Sequence, residues 1–268
     1  MHTLREEMPF TPGTTLHFLR VPPHVSLLSL LTLEEALLRA DARNWVLFKD
    51  CGAAAAAPPP TIVLGMAGKL DALVHVGAAR SAGAVALRRF TGGGTVVVDG
   101  GTALVSFVCA RGAAAGSPVF PRDIMAWSGS VYGPVFSALL APTAPPFSLV
   151  EHDYCLGDRK FGGNAQAVSR DRWVHHTSFL WRATPAHLAL LKLPEKRPTY
   201  RRSREHVEFL TTLEGHAPVG ARVADFERAL RRRLAAVEGL ALAEASLEDA
   251  LEALPRNERR SNEVVELA

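Results

Sequence analysis

Residues 88–99 have the sequence RRFTGGGTVVVD. Three consecutive glycines carry no Cβ atoms, so a ligand can lie directly on the backbone amides of this stretch. Arg88 and Arg89 supply fixed positive charge, and their forked donors suit phosphate or carboxylate groups. The apolar runs at residues 84–87 and 96–98 predict strands that hold the glycines between them. The stretch therefore predicts an anion-binding loop, with a tight hairpin of incidental charge as the common alternative.

The composition indicates a folded protein with one large domain or two modest ones. The chain has 268 residues, 48% of them hydrophobic, which is enough for a substantial core. A net charge of +3 is too small to indicate nucleic acid, and no apolar run is long enough to predict a membrane partner. Cys51, Cys109 and Cys155 lie far apart, which excludes a disulfide framework or zinc-finger spacing and favours a reducing compartment.

Hydrophobic periodicity predicts an α/β arrangement. Apolar residues at helical spacing predict helices at residues 25–40, 69–80 with a break near Gly77, 121–140, 226–237 and 247–254. Short apolar or alternating runs predict strands at residues 45–48, 61–66, 84–87, 96–98, 103–109, 147–156, 160–168 and 173–181. This order predicts a mixed β-sheet with helices on its faces, and it lacks the regular alternation of a Rossmann fold.

A second stretch of interest, residues 157–166, has the sequence GDRKFGGNAQ. Gly157 and Asp158 predict a hairpin turn that places Lys160 at the start of the next strand. Small residues follow Lys160 along this strand, and their lack of bulk indicates close approach of a ligand. A solvated lysine on an ordinary hairpin explains the same pattern without a site.

Acidic and histidine residues near these stretches are candidate ligands. Asp99 and Asp153 are candidate magnesium contacts, because Mg²⁺ prefers one or two carboxylates together with phosphate oxygens. His175 and His176 are neighbours on a predicted strand and point to opposite faces, so at most one of them faces a site. Taken singly, each aspartate is equally well explained as a surface turn residue.

The two stretches together resemble the lipoate-protein ligase A family, which shares its fold with biotin-protein ligases and octanoyltransferases. Five stretches carry the resemblance: residues 33–36 (first helix), 88–99 (glycine-rich signature), 157–166 (lysine motif), 175–180 (following strand) and 200–204 (basic segment). They occur in the family's order and cover roughly residues 25–240. The resemblance implies a mixed, largely antiparallel β-sheet flanked by helices, the catalytic domain of a lipoate ligase.

The implied activity is ATP-dependent transfer of an acyl group to a protein lysine. Lipoate attacks the α-phosphorus of ATP, with Mg²⁺ assisting, and forms lipoyl-AMP and pyrophosphate. The lipoyl group then passes to a lysine of an acceptor, either a lipoyl domain of a 2-oxoacid dehydrogenase acyltransferase subunit or the glycine-cleavage H protein. Lys160 matches the family's catalytic lysine, whose charge would stabilise the negative charge that develops in both steps.

The resemblance also assigns roles around Lys160. Asp153 stands where the family has a ligand-contacting or metal-contacting acid, and His176 matches a histidine beside the acyl pocket. The expected substrate- and nucleotide-binding residues are Arg89, Thr91, Gly92, Gly93, Gly94, Thr95, Asp99, Gly163, Asn164, Ala165 and His176. Arg89 is expected on phosphate oxygens. Val98 and His152 depart from the family pattern, which usually has His and Asn in these places.

We expect one catalytic domain at residues 25–255, an extended arm at residues 1–24 and a frayed tail at residues 256–268. Bacterial members of the family carry an accessory domain after the catalytic domain, and no counterpart is expected here. The resemblance therefore implies a separate accessory chain for the first step, or the use of preformed lipoyl-AMP. The N-terminus has no clear targeting segment. The family implies the mitochondrial matrix in a eukaryote and the cytoplasm in a bacterium.

Other functions remain open at this point. An octanoyltransferase of the same fold takes its acyl group from acyl carrier protein, and Cys155 would be the cysteine nearest to the site. A buried structural cysteine explains Cys155 equally simply. A non-catalytic homologue would only bind an acyl-adenylate or a lipoyl domain, and the intact Arg89, triple glycine and Lys160 argue against it. Biotin ligation is less favoured, because the lysine motif is closer to the lipoate branch.

Overall fold

The computed structural model describes residues 9–54, 58–116, 120–195, 197–252 and 261–267. The strands are β1 (Thr15–Arg20), β2 (Asn44–Asp50), β3 (Thr61–Leu64), β4 (Val85–Arg88), β5 (Val96–Val98), β6 (Thr102–Ala110), β7 (Phe147–Val150), β8 (Asp153–Leu156), β9 (Arg159–Val168), β10 (Arg172–Leu180), β11 (Ala241–Ala245) and β12 (Glu263–Val265). The helices are α1 (Leu27–Ala40), α2 (Leu70–Leu73), α3 (Val76–Ser81), α4 (Pro121–Leu139), α5 (Pro185–Leu188), α6 (His206–Phe209), α7 (Val223–Ala235) and α8 (Leu247–Glu252).

The larger sheet has eight strands in the order β11-β1-β2-β6-β10-β9-β8-β7. Strand β1 pairs in parallel with β2 and with β11, and the other pairs of this sheet are antiparallel. Helices α4 and α7 contribute to the core cluster on one face, and α1 and α8 to the cluster on the other. The predicted mixed, largely antiparallel sheet flanked by helices is confirmed.

The central strands are apolar on both faces because both faces are covered. In β2, Val46 and Phe48 pack with α4 and α7, whereas Trp45 and Leu47 pack with α1. This alternation follows from the two-residue period of a strand. Burial on both sides explains why β2 has a continuous apolar run instead of an alternating pattern.

The smaller sheet has four strands in the order β12-β4-β3-β5. The strands before and after the triple glycine, β4 and β5, lie on opposite sides of β3, so they do not form the hairpin that was the simpler alternative. The connecting segment, residues 89–95, instead crosses over the end of β3. A Cβ atom at Gly65 would clash there with the carbonyl oxygen of Gly93, so the crossing requires glycine at position 65.

Two predicted elements differ in detail. The helix expected at residues 69–80 is two short helices, α2 and α3, and the break lies before Gly77 at Val74 and His75. The strand expected at residues 147–156 is the hairpin of β7 and β8, in which Val150 pairs with Asp153. Glu151 makes this tight turn possible by adopting a left-handed backbone with φ of 54°.

Both ends of the chain are more ordered than predicted. Within the expected arm, β1 lies inside the larger sheet, and its Leu16 and Phe18 are fully buried. Within the expected frayed tail, β12 pairs with β4. Pairing with strands distant in sequence stabilises both segments, and local composition does not reveal it. Residues 1–8, 253–260 and 268 lie outside the described part. None of the described helices is long and apolar enough to cross a membrane.

Candidate active site

A cavity of about 260 Å³ is lined by α1 and by strands of both sheets. It brings together ten of the predicted site residues: Arg89, Gly93, Gly94, Thr95, Asp153, Lys160, Gly163, Asn164, Ala165 and His176. The lining does not include Thr91, Gly92 or Asp99. Two stretches that are about 60 residues apart in sequence therefore contribute to one concave site, which is the geometry of a small-molecule pocket.

One side of the cavity is apolar. The residues that form it include Leu27, Leu30 and Leu31 of α1 and Val63, Val96 and Leu104 of the strands. The three leucines share one face of α1 because they lie at helical spacing. Val98, which stands where the family usually has His, belongs to the same apolar side. This side can bury an aliphatic chain.

Arg89 holds the glycine loop, residues 91–95, from inside. Its side chain is buried, and its Nη2 donates to the carbonyl oxygens of Gly92 at 2.8 Å and Gly94 at 2.7 Å. Its Nε donates to the hydroxyl of Thr91 at 2.9 Å, and Nη1 donates to the carbonyl of Val63 at 3.3 Å. Burial lowers the pKa of Arg89 to about 10, which leaves it charged at neutral pH. The guanidinium thus contacts protein oxygens where a phosphate contact was expected.

Arg88 holds the neighbouring turn and does not line the cavity. Its Nη1 donates to the carbonyl oxygen of Gly68 at 2.6 Å, and its Nε pairs with Glu263 of β12 at 2.9 Å. Asn262 adds a further link, because its Nδ2 donates to Glu35 of α1 at 2.8 Å and its Oδ1 accepts the N–H of Phe90 at 3.0 Å. The segment before the glycine loop is therefore held from two sides.

The glycine loop retains unused donors. In the described residues, the N–H groups of Gly92, Gly93, Gly94 and Thr95 donate to no protein acceptor. The hydroxyl of Thr95 is buried and also lacks a protein partner. The three glycines are exposed, so their N–H groups are free to bind a ligand, whereas the buried Thr95 hydroxyl has neither a protein partner nor access to water. Because nearly all buried polar groups are hydrogen-bonded, these donors together indicate a site for an anionic group.

A chain of hydrogen bonds connects the loop to α1. Glu34 is buried, accepts the Ser106 hydroxyl at 2.5 Å and contacts Nδ1 of His176 at 2.8 Å. Nε2 of His176 lies 3.2 Å from the hydroxyl of Thr91, which itself accepts from Arg89. The consistent assignment is that Thr91 donates to Nε2 and His176 donates from Nδ1 to Glu34. Thr91 thus serves the site from outside the cavity lining.

The sequence did not assign roles to Glu34 and Ser106. Glu34 follows an apolar helical face, where it resembles an ordinary residue at the border of that face. Its burial at 1% exposure is the signal that distinguishes it, and this signal exists only in the folded structure.

Lys160 of β9 forms an ion pair with Asp153 of β8. Its Nζ lies 2.6 Å from Oδ1 of Asp153, and Oδ2 of Asp153 accepts the hydroxyl of Tyr200 at 2.8 Å. The lysine side chain passes over Gly163, where a Cβ atom would lie 3.3 Å from Nζ. Gly162 has a different role, because a Cβ atom there would meet Phe179 in the core.

The candidate metal ligands do not form a metal site. Among the described residues, no group of three His, Cys, Asp or Glu side chains could hold a metal ion. The carboxylate of Asp153 is already engaged by Lys160 and Tyr200. Asp99 closes a turn, with Oδ1 accepting the N–H of Gly101 at 2.8 Å and Oδ2 lying 2.6 Å from Nδ1 of His187. Neither aspartate therefore has a carboxylate that is free to bind a magnesium ion in this structure.

The neighbouring histidines, His175 and His176, point to opposite faces of β10, as expected from their adjacent positions on a strand. His176 lines the cavity, and His175 is buried on the other face of β10. Burial lowers the pKa of His175 to about 3, so its ring is neutral and lies 2.7 Å from the hydroxyl of Tyr154. His152 is exposed at the cavity, where its carbonyl accepts from Asn164 at 2.7 Å.

Cys155 lacks the features of a nucleophile. Its side chain is fully buried and does not line the cavity. Burial raises the pKa of its thiol, which disfavours the reactive thiolate. These observations favour the structural explanation of this cysteine over a thioester mechanism.

Comparisons with known proteins agree with this geometry. The chain matches the family model described as "Lipoyl protein ligase A/B catalytic domain" over residues 31–235. A structure of lipoate-protein ligase A bound with ATP has a TM-score of 0.68 at 18% identity, covering 91% of this chain and 92% of that chain. A bi-partite lipoate protein ligase from Thermoplasma acidophilum, analysed with its E2 lipoyl domain, has a TM-score of 0.68 at 18% identity, covering 91% and 90%.

Two Plasmodium falciparum proteins are also similar. LipL1 in complex with lipoate has a TM-score of 0.65 at 14% identity, covering 91% of this chain and 69% of that chain. The protein called "Inactive lipoate--protein ligase 2" is 28% identical over 155 residues. That match covers 48% of this chain and only 40% of the relative's length. The likeness to solved structures establishes the fold, and the family match extends over most of the chain. The chain belongs to the lipoyl protein ligase A/B catalytic domain family.

Proposed function

We propose that this chain is a lipoate-protein ligase, which activates lipoate with ATP to lipoyl-AMP and transfers the lipoyl group to a protein lysine. The observation that carries the proposal is the composition of one cavity: it is lined by an apolar side, by Gly93, Gly94 and Thr95 with their unused N–H groups, and by Lys160. The bound ATP of one similar structure and the bound lipoate of another support the choice of substrates.

In the first step, the lipoyl chain lies against the leucines of α1, and its carboxylate attacks the α-phosphorus of ATP. A new oxygen–phosphorus bond forms while the bond to pyrophosphate breaks. Negative charge increases on the α-phosphoryl oxygens in the transition state. The N–H groups of the glycine loop and the ammonium of Lys160 are the donors that stabilise it, and a fixed donor costs little reorganisation.

In the second step, the amine of the acceptor lysine attacks the carbonyl carbon of lipoyl-AMP. A carbon–nitrogen bond forms, the bond to AMP breaks, and the amine loses a proton to solvent. Lys160 stabilises the tetrahedral oxyanion and the departing phosphate. No nucleophilic side chain is required, because ATP has already activated the acyl group. The proposed role of Asp153 is to hold the side chain of Lys160 in place, and the proposed reaction does not use Asp153 as a metal ligand.

The proposed acceptors are lipoyl domains of 2-oxoacid dehydrogenase acyltransferase subunits and the glycine-cleavage H protein. The similar protein from Thermoplasma acidophilum was analysed together with its E2 lipoyl domain, which supports this acceptor class. That protein is also bi-partite, which supports a separate accessory chain as a partner for the first step.

The test is lipoylation of an apo acceptor domain with three donors: ATP plus lipoate, lipoyl-AMP, and octanoyl acyl carrier protein. We expect transfer from lipoyl-AMP, and from ATP plus lipoate when the accessory chain is present. Cys155→Ser should leave both activities unchanged. Transfer from the carrier protein alone, lost in Cys155→Ser, would instead establish the octanoyltransferase.

A non-catalytic lipoate-binding protein is the second candidate. The name of the Plasmodium relative, "Inactive lipoate--protein ligase 2", favours it. This candidate predicts that the chain binds lipoate or a non-hydrolysable lipoyl-AMP analogue in calorimetry but gives no product with any of the three donors. Product formation that depends on Lys160 would exclude it.

A further inference from the structure

A segment that follows the site in sequence lies across the lysine hairpin, which is the hairpin of β8 and β9 that carries Lys160. This segment, residues 197–211, is called the strap below. The N–H of Thr211 donates to the carbonyl of Lys160 at 2.8 Å, and Arg204 pairs with Asp158 at 3.0 Å. At the other end, the N–H of Thr199 donates to the carboxylate of Glu151 at 2.8 Å. Each end of the strap is thus attached to the β8–β9 hairpin or to Glu151, just before it.

Tyr200 is the strap residue that reaches towards the site. Its hydroxyl donates to Oδ2 of Asp153 at 2.8 Å and lies 3.3 Å from Sγ of Cys155. Its ring packs against Phe209, with the ring centroids 5.2 Å apart. Burial and the neighbouring carboxylate of Asp153 raise the pKa of Tyr200, so the hydroxyl keeps its proton and acts as a donor.

Asp153 is held at both oxygens by different elements. Tyr200 occupies Oδ2, and Lys160 occupies Oδ1 at 2.6 Å. A carboxylate with only one partner could rotate and exchange that partner for water. A lysine side chain has many rotamers, and a carboxylate fixed at its second oxygen selects one of them.

We propose that Tyr200 is a positioning residue that orients Asp153 and, through it, the ammonium of Lys160. Tyr200 does not line the cavity itself, so it acts on substrate only through these two residues. The effect on catalysis rests on the proposed function, whereas the effect on the position of Lys160 does not.

The first experiment measures how fast an amine-acetylating reagent labels Lys160 in the full chain, with mass spectrometry as the readout. Tyr200→Phe keeps the ring against Phe209 and removes only the hydroxyl. We expect labelling of Lys160 to rise about threefold, because the hydrogen bond that orients its partner is lost. Lys192, which donates to the carbonyl of Asp71 at 2.6 Å, is the internal reference and should not change.

A double-mutant cycle separates positioning from a general loosening of the strap. In an Asp153→Asn background, Tyr200→Phe should produce no further rise, because the path to Lys160 is already broken. Tyr132→Phe removes a different buried hydroxyl and should leave labelling of Lys160 unchanged. Tyr200→Leu is a second variant and should give the same rise as Tyr200→Phe. Equal labelling of wild type and both Tyr200 variants, or an equal rise in the Asp153→Asn background, would overturn the proposal.

The second experiment measures transfer from lipoyl-AMP to an apo lipoyl domain. Tyr200→Phe should lower kcat about tenfold and leave KM unchanged, because misplacement of a charged group affects the transition state more than binding. A wild type that transfers nothing while its Tyr200 variants still alter labelling refutes the proposed function and retains the positioning role. Unchanged labelling with an unchanged kcat refutes the positioning role and retains the ligase.

Discussion

The glycine loop and the lysine hairpin line the same cavity, but they are held in different ways. The loop surrounds a buried guanidinium, that of Arg89, whose donors are used by backbone carbonyls. The hairpin carries Lys160, which is 24% exposed and is held by one carboxylate. The loop therefore presents rigid neutral donors, whereas the hairpin presents a charge that a ligand can draw away from its partner.

This difference predicts that Arg89 mainly affects the stability of the protein and that Lys160 mainly affects the reaction. Removal of a buried guanidinium leaves the carbonyl groups that it bonds without their donor, and each hydrogen bond to a charged group contributes about 1.5–3 kcal/mol. The Lys160–Asp153 pair lies between the exposed and the buried case, because the lysine reaches solvent and the aspartate is buried. Loss of Arg89 should therefore mainly lower the stability of the protein, whereas loss of Lys160 should mainly slow the reaction.

Arg89→Ala should have the largest effect. The carbonyls of Gly92 and Gly94 lose their charged donor, so the free energy of unfolding should fall by about 3 kcal/mol. Urea denaturation measures this loss. Arg228→Ala, which breaks an exposed pair with Asp225, is the matched control and should cost less than about 1 kcal/mol. A loss of similar size in both variants would show that Arg89 does not hold the loop.

Lys160→Ala should give the opposite profile. Transfer from lipoyl-AMP should slow by about 10²–10³-fold, because an aimed charge in the transition state is lost. The free energy of unfolding should fall by about 1–2 kcal/mol, because the buried carboxylate of Asp153 loses one partner and keeps its bond to Tyr200. Steady-state kinetics and urea denaturation test both parts, with Lys192→Ala as the control. A rate within threefold of wild type would remove Lys160 from the mechanism.

Acid should destabilise β10, the strand that lies beside β9 in the larger sheet and carries His175. The folded protein keeps His175 neutral, with its pKa lowered to about 3, so below pH 6.5 the unfolded chain binds a proton that the folded chain does not. The free energy of unfolding should therefore fall by up to about 1.4 kcal/mol per pH unit, or about 2 kcal/mol at pH 5. Urea denaturation between pH 7 and pH 4 measures the slope.

His175→Gln should reduce that slope, although it lowers stability at pH 7. His206 adds to the same trend, because burial and then Arg201 lower its pKa to about 4. The variant His206→Asn separates the two contributions. A slope that persists unchanged in His175→Gln would assign the acid sensitivity to another group.

Asn262→Ala should have the smallest effect in this series. It removes the side chain that joins α1 to the N–H of Phe90, just before the glycine loop. Loss of these bonds should cost about 1–2 kcal/mol of unfolding free energy and raise KM for ATP more than it lowers kcat. Glu263→Ala, which breaks an exposed pair with Arg88 next to it, is the control. An unchanged KM would show that the loop does not depend on the C-terminal segment.

Local patterns sufficed for most elements. The leucines of α1 lie on one helical face, and the continuous apolar run of β2 indicates a strand covered on both sides. The same patterns failed for β1, β11 and β12, which are short or lie among prolines and charges. These strands are stabilised by pairing with distant partners, and pairing leaves no local pattern in the sequence.

The same distinction between local patterns and distant contacts applies to the site. The glycine loop and the motif around Lys160 are contiguous stretches, so their residue types and spacing are visible in the sequence. Glu34 and His176 are separated by 142 residues, and Tyr200 and Asp153 by 47. Their contacts depend on which strands are neighbours and in what register. A shift of one residue in β10 would turn His176 away from the cavity and His175 towards it.

By itself, the sequence determined the two motifs that supply the cavity, because each is a contiguous stretch, and the resemblance of these motifs indicated the family. Hydrophobic periodicity indicated the α/β fold class. The tertiary structure decided the partners of the charged groups: Arg89 on the loop carbonyls, Lys160 on Asp153, and Asp153 on Tyr200. Only the tertiary structure shows that β3 lies between β4 and β5, so that the glycine loop crosses the end of β3 and is not the turn of a hairpin. The physical reason is that burial and strand order set the pairing of a charge, and both arise only when distant segments pack together.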